Sequence, residues 1–487
     1  MRHYLAFDLG AESGRAMLGS LGDGTLVLEE LYRFPNTPVT VFSALYWDTL
    51  RLWHEIQAGL AVAGRERKLT LDGIGVDTWG VDFALLDSGG ALVDNPRHYR
   101  DARNHGALEK LFAAVPREEI FAQTGIQFMP INTLCQWYGM KLSRAPALES
   151  ARTLLMMPDL FNYWLTGVMR SERTIASTSQ FHNPLSRAWA AELLARLELD
   201  ASLLPEIVEP GARLGCLLPA LAEASGLNQA PVFTTGCHDT ASAVAAVPAE
   251  PGNWCYISSG TWSLMGAELD EPVVTERALA LNLTNEMGAE GKTRLLKNIA
   301  GLWPLQECRR AWAFEGVEYG YDQLARMASE SRPFLAVIDP DAFLEPGGMP
   351  ARIAAWCRDR GQAQPATPGE FTRVILEGLA LRYRVVLESL ESLLGRRMEV
   401  IHIVGGGSRN AVLNQFVADA TGRPVIAGPA EATAIGNVLI QAIGSGALKD
   451  LEEARSLVRR SFPVETFLPE PSADWEGAYR AARSPAT

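Results

Sequence analysis

Three short stretches combine glycine with residues able to handle phosphate, metal or protons: 8–15 (Asp-Leu-Gly-Ala-Glu-Ser-Gly-Arg), 236–240 (Gly-Cys-His-Asp-Thr) and 405–408 (Gly-Gly-Gly-Ser). Glycine turns let backbone N–H groups approach phosphate oxygens closely, because no side chain stands between them. Asp8 adds a carboxylate for Mg²⁺, an ion that sheds its water reluctantly and is usually held through it; a polar hairpin turn capped by Asp8 accounts for the same residues. Asp239, directly before an Ala-rich run, is the candidate catalytic base, with a helix cap as the plain alternative. His238 has no metal-ligand spacing around it, and a lone histidine is more often a packed or hydrogen-bonding residue than a catalyst. Trp79 and Gly80 would suit a sugar pocket, an aromatic face beside a point of close approach, or Trp79 is simply core.

Two other nucleotide motifs fail on inspection. Gly291-Lys292-Thr293 resembles the end of a P-loop, but Glu286 stands where that motif requires glycine. The run from Gly405 begins like a dinucleotide fingerprint and has Asn410 in place of the last glycine.

The elements that must position these residues read as follows. Apolar runs at 4–9, 15–21 and 25–34, separated by Gly-rich turns, predict a strand meander. Helical spacing at 47–64 is followed by a strand pair over 72–87 broken at Gly80, and then by a mainly helical stretch at 100–204 punctuated by prolines. After Pro231 the opening grammar returns: strand 232–235, glycine turn, helix 240–247, then strands 254–258 and 262–268. The turns at 8–15 and 258–263 would be partners in a duplicated fold. A polar loop at 362–369 precedes a long helix at 371–394. Strand 400–404, a glycine turn, helix 411–421 and a helix at about 430–443 follow, with a further helix and tail after 450.

The bulk numbers bound the function. A length of 487 residues predicts two large or about three smaller domains. With 47% hydrophobic and 21% charged residues the chain reads as an ordinary soluble enzyme. A net charge of -13 excludes a protein built to coat nucleic acid or anionic membrane. Six scattered cysteines without a C-x-x-C predict reduced, mostly buried thiols. The N-terminal apolar run is broken by Asp8, and no stretch nears the ~18 apolar residues of a membrane span, so the expected location is cytoplasmic.

Taken together, the glycine turns, 157–167 (Met-Pro-Asp-Leu-Phe-Asn-Tyr-Trp-Leu-Thr-Gly) and 376–383 (Leu-Glu-Gly-Leu-Ala-Leu-Arg-Tyr) give a sequence that resembles the FGGY carbohydrate kinases. The resemblance covers nearly the whole chain to about Gly446. It implies an α/β fold of two actin-like ATPase (ribonuclease H-like) domains with an interdomain cleft: residues 1–245 on the sugar side, 246–450 on the nucleotide side, and 451–487 as a C-terminal helix and tail. The runs 8–15, 77–83, 236–243, 258–266 and 298–303 narrow it, within the family, to a kinase of the carbon-1 hydroxyl of a deoxyketose.

The same resemblance implies roles position by position. Asp239 would be the general base; Gly80, His238, Asp239, Thr240 and Asn298 would hold the sugar. Ala11, Glu12, Ser13, Gly14, Arg15 and Thr261 would cradle the phosphates of ATP, Gln306 and Gly406 would face the nucleotide, and Asp8 would serve Mg²⁺. The implied partners are a small ketose and ATP, with no obligate protein partner. Ala11 and Glu12 depart from the hydroxyl residues usual in the broad family's first phosphate loop, and Arg15 is the cation at hand to offset Glu12. The rival readings are a kinase for L-fuculose or xylulose, and a non-catalytic ATP-binding protein of the same superfold.

Overall fold

The computed structural model describes residues 1–470 and 474–483. The chain folds into two compact units, neither continuous in sequence: Met1–Pro248 with Glu268–Leu295 and Ala432–Ser461, and Ala249–Ala267 with Leu296–Glu431 and the described residues from Phe462.

The first unit is built on β1 (Arg2–Leu9), β2 (Ser13–Gly22), β3 (Thr25–Pro35), β4 (Gly73–Thr78), β5 (Arg213–Cys216) and β6 (Pro231–Phe233), ordered β5-β6-β4-β1-β2-β3. From Tyr4 to Leu9 every residue of β1 is buried. A strand covered on both faces reads as a continuous apolar run rather than an alternating one. β1 is antiparallel to β2 and parallel to β4, a register that sets Asp8 beside Asp77. The core on this sheet gathers Leu5, Phe7, Trp47, Ile74, Trp79 and Phe161.

The helix Asp239–Ala245 crosses the helix Ala432–Gly444 at a spot only glycine permits, since a Cβ at Gly436 would stand 1.7 Å from the Ser242 carbonyl oxygen. Gly236 is confined too, though less tightly, its imagined Cβ lying 2.7 Å from the Ser242 nitrogen.

In the second unit β7 (Trp254–Ser259) lies between its antiparallel partner β8 (Ser263–Leu269) and its parallel partner β9 (Val400–Val404); β10 (Val425–Ala427) and β11 (Glu465–Phe467) follow outward. The surroundings of β7 thus repeat those of β1, as the two glycine turns predicted. The 27-residue helix Pro368–Leu394 opens with a capping box between Thr367 and Glu370 and closes on Gly395 at φ 65°.

Several elements differ from the sequence expectation. The segments of 72–87 are both strands but do not pair with each other: β4 joins the main sheet, and Phe83–Leu86 pairs with Thr153–Met156. The helix Thr49–Ala61 ends in a π-turn at Val62–Glu66. The run Gly291-Lys292-Thr293, which resembles a P-loop ending, leads instead into the second of two strands that the sequence does not signal, Thr284–Met287 and Thr293–Ile299. Of the tail, the helix Leu451–Ser461 is present, whereas residues 471–473 and 484–487 lie outside the described residues. Among the described residues no helix is long and apolar enough to cross a membrane.

Candidate active site

In the first unit carboxylates meet at the C-terminal ends of β1 and β4. Asp8 pairs with the Arg15 guanidinium across the β1–β2 turn. Asp77 is fully buried, and burial, followed by the negative charge of Asp8, holds its carboxyl well above the usual carboxylate range; Asp239 adds to the effect, and Asn437 and Arg15 oppose it. Asn437 Nδ2 donates to Asp77 Oδ2 at 2.5 Å, and Oδ1 is buried without a hydrogen-bond partner. The donors here are carboxylate oxygens, the chemistry Mg²⁺ prefers. Among the described residues no group of three or more His, Cys, Asp or Glu is placed to bind a metal.

The turn between β1 and β2 contains Ala11 and Glu12, with Glu12 exposed. The Gly10 N–H donates to the Ser13 carbonyl (2.9 Å), and Asn36 clamps the turn by donating from Nδ2 to Gly10 O (2.8 Å) and from its backbone N–H to Glu12 O (3.0 Å). Gly14 has a packing reason of its own: a Cβ there would stand 2.2 Å from the Phe34 ring.

Asp239 opens its helix, but the N-cap is His238, which makes no side-chain cap. Asp239 Oδ1 accepts instead from the Thr240 backbone N–H at 2.5 Å and from Thr240 Oγ1 at 3.1 Å. Within the run 232–249 Asp239 alone is not buried, so one carboxylate surfaces from an otherwise enclosed segment. The turn ahead of it is fixed by Glu172, which accepts from the backbone N–H of Cys237 at 3.2 Å, and by Thr174, whose Oγ1 accepts from the His238 N–H at 3.2 Å. Burial pushes the Glu172 carboxyl up to about 7 against the hydrogen bonds from Thr174, Ile175 and Cys237.

His238 Nε2 lies 3.4 Å from Asp239 Oδ1. On the other side Nδ1 is 3.2 Å from Glu286 Oε2 and 3.1 Å from the Arg294 guanidinium. Thr78, at the end of β4, bridges to His238, and its N–H donates to the Cys237 carbonyl at 2.9 Å. That brings Gly80 into the corner: a Cβ on it would stand 3.2 Å from Thr178 Cγ2 and 3.3 Å from His238 Nε2. Next to it Val81 adopts φ 69°, a region a β-branched residue enters only when its surroundings enforce it. Thr178 Oγ1 accepts from the Val81 N–H at 3.1 Å, and the Thr133 hydroxyl donates to its carbonyl at 2.7 Å. Trp79 belongs to the core: its indole donates to Asp82 at 3.0 Å and packs 3.9 Å from the Trp47 ring.

The second unit holds the other expected positions. The turn after β7 is tied to the start of the helix Trp303–Phe314, the Leu302 N–H donating to Gly260 O at 3.0 Å and the Trp303 N–H to Thr261 O at 3.1 Å. Gly301, at φ 56°, could carry no Cβ, which would lie 2.4 Å from the Trp262 carbonyl carbon. Gln306 follows one turn into that helix, its Oε1 buried without a partner. Gly405, at φ 83°, and Gly407 press on Ser259, while Gly406 between them is exposed with open space above it. Asn298 lies in the strand Thr293–Ile299, half-buried.

The structure therefore gathers Asp8, Arg15, Gly80, His238, Asp239 and Thr240 in one unit, and Thr261, Gln306, Gly406 and Asn298 in the other. Asp77, Glu172, Thr178, Glu286 and Arg294 also belong to these surroundings, and none of them is a site candidate from the sequence. Only Asp77 carried a signal, lying in the run 77–83; the others are distant in sequence and come into contact through folding.

A duplicated strand-and-glycine-turn architecture with a partly exposed carboxylate beside a glycine corner defines a class. The N-terminal domain of the FGGY family of carbohydrate kinases matches residues 3–246 and its C-terminal domain residues 255–445. The chain belongs to this family, and is an ATP-dependent carbohydrate kinase. It is 46% identical over 480 residues to a rhamnulokinase of Bacteroides thetaiotaomicron, covering 98% of each chain, and 41% identical over 475 residues to a rhamnulokinase of Enterococcus faecalis, covering 96% of this chain and 95% of the other. Its fold is that of a ligand-bound xylulose kinase from Lactobacillus acidophilus (TM-score 0.80, 14% identity, 99% of this chain and 97% of that one). It is also that of a Plasmodium falciparum glycerol kinase with ADP (TM-score 0.76, 15% identity, 99% and 96%).

Proposed function

We propose that the chain transfers the γ-phosphoryl group of ATP to the carbon-1 hydroxyl of L-rhamnulose, giving L-rhamnulose 1-phosphate for L-rhamnose degradation in the cytoplasm. The observation that carries the site assignment is the partly exposed Asp239 carboxylate beside His238 and the Gly80 corner. Full-length similarity to rhamnulokinases supports the substrate. The sugar oxygen bonds to the γ-phosphorus as the bond to ADP breaks, and the hydroxyl proton passes to Asp239. Such a base contributes about 10²- to 10⁴-fold; the remainder is positioning and charge stabilisation.

Gly80, His238, Thr240 and Asn298 hold the ketose. Residues 11–15 and Thr261 receive the phosphates, and Gln306 and Gly406 the nucleotide. Asp8 would hold Mg²⁺, which would supply charge neutralisation on the phosphates. Arg15 keeps Asp8 in place. Residues 1–245 supply the sugar contacts other than Asn298, and residues 246–450 supply the nucleotide contacts at Gln306 and Gly406.

The test is ADP release by purified protein with MgATP and a ketose panel. L-rhamnulose is expected to turn over fastest, and comparable turnover of L-fuculose or xylulose would overturn the substrate. In the same assay Asp239→Asn is expected to lose at least ~10²-fold in kcat while still binding nucleotide; unchanged turnover removes Asp239 from its role.

A further inference from the structure

We propose that Glu286 and Arg294 are positioning residues for the sugar corner: Glu286 accepts the Nδ1 proton of His238, which leaves Nε2 as a hydrogen-bond acceptor facing Gly80 and Asp239. The step from ring orientation to sugar binding rests on the reading that the ketose occupies this corner.

His238 Nδ1 has two neighbours that ask for opposite tautomers. The Arg294 guanidinium, 3.1 Å away, can only donate, and an ionised Glu286, 3.2 Å away, can only accept. Arg294 already has other acceptors. Its Nε donates to the Met287 carbonyl at 3.0 Å, and its NH2 group donates to the same Glu286 oxygen at 3.2 Å. Glu286 is the charged acceptor of the group, and charge-assisted hydrogen bonds are roughly twice as strong as neutral ones. Burial alone would raise the Glu286 carboxyl, but the hydrogen bond from His238 and the charge and hydrogen bond of Arg294 oppose it, and the carboxyl lies below the usual range.

Arg294 is completely buried and Glu286 and His238 nearly so. A buried cation needs a buried anion, and Arg294 stabilises the carboxylate that in turn orients the ring. On the far side Nε2 and Asp239 Oδ1 lie 3.4 Å apart, two acceptors next to each other. Such a pair is completed by two O–H donors, one the hydroxyl that reacts at Asp239 and the other a neighbouring hydroxyl that donates to Nε2. With the opposite tautomer, an Nε2–H would face Asp239 and compete for the carboxylate that must take the substrate proton.

The ring tautomer is read directly by long-range ¹H–¹⁵N spectra of histidine-labelled, unliganded protein, with His238 assigned by its loss in His238→Asn. An Nδ1–H ring is expected. An Nε2–H or doubly protonated ring overturns the proposal, and this measurement needs no Glu286 variant to fold. In Glu286→Gln the ring is expected to shift toward the Nε2–H form, with KM for the ketose about ten-fold higher and KM for MgATP within about two-fold. The double variant Glu286→Gln/His238→Asn is expected to be no worse than His238→Asn alone; effects that multiply would mean Glu286 does not act through His238. An Nδ1–H ring in a protein inactive on L-rhamnulose would sink the substrate and leave the ring orientation standing, and an Nε2–H ring in an active kinase would do the reverse.

Discussion

Asp82 shows at the scale of one residue how the sugar corner is supported from behind. Its Oδ2 accepts from the indoles of Trp47 (2.6 Å) and Trp79 (3.0 Å) and from the Tyr99 N–H (3.2 Å), and its Oδ1 from Gln136 Nε2 (3.0 Å). Burial nevertheless pushes its pKa from 3.8 up to about 6, the hydrogen bonds opposing the rise only in part. The folded state therefore binds a proton that the unfolded chain has lost between these values. Stability from this group is present at the acid end and falls as pH rises from about 4 to 6, by an amount on the order of 3 kcal/mol. Asp82→Asn, which cannot titrate, is expected to show a correspondingly smaller loss of urea midpoint between pH 4.5 and 6.5 than the parent chain; equal pH dependence would mean that Asp82 is ionised throughout. Trp79 was open between sugar contact and core on local grounds, and its packing on the Trp47 ring, 3.9 Å between centroids, makes it core. Nothing in the sequence separated these, because the deciding partner, Trp47, is distant in sequence and belongs to another element.

At the scale of elements, the crossing of helices Asp239–Ala245 and Ala432–Gly444 controls where Asp239 stands. Gly436→Ala would drive a methyl group into the Ser242 carbonyl at 1.7 Å. Backbone cannot give way as a flexible side chain would, so the expected cost is at least about 1–3 kcal/mol, the usual range for overpacking, measured as a lower urea midpoint. A smaller kcat is expected with it, because the displaced helix begins at Asp239. Gly422→Ala is a contrasting control: nothing lies within 4 Å of its imagined Cβ, and its φ of 62° alone penalises the change. The elements themselves were largely legible, since β1, β9 and the long helix expected at 371–394 announce themselves by apolar runs, glycine turns and a preceding polar loop. The strands Thr284–Met287 and Thr293–Ile299 were not. Glu286 and Arg294 interrupt their apolar pattern as buried charges, and such residues read as surface until their mutual pairing is known.

For the molecule as a whole the cysteines give a simple check. All six are free thiols, five of them buried and Cys216 partly exposed. A thiol reagent is expected to modify one cysteine of the native protein rapidly and all six after denaturation, with no change on adding reductant. Rapid modification of several in the native state would contradict this packing. The wide spacing of the cysteines, with no C-x-x-C, had pointed to reduced, mostly buried thiols, though not to which one meets solvent. The sequence by itself determined the duplicated strand-and-glycine-turn grammar, because backbone turns and strand periodicity are local and leave their mark in adjacent residues; its resemblance to the FGGY carbohydrate kinases gave the class of protein and put forward Asp8, Gly80, His238 and Asp239 as candidates. Only the tertiary structure decided that Asp239 begins its helix after a His238 N-cap, that Asp77 lies beside Asp8, and that Glu286 and Arg294 stand behind the histidine. The last two are contacts between side chains far apart in sequence, and they exist only once strand register and helix crossing have brought the chain together.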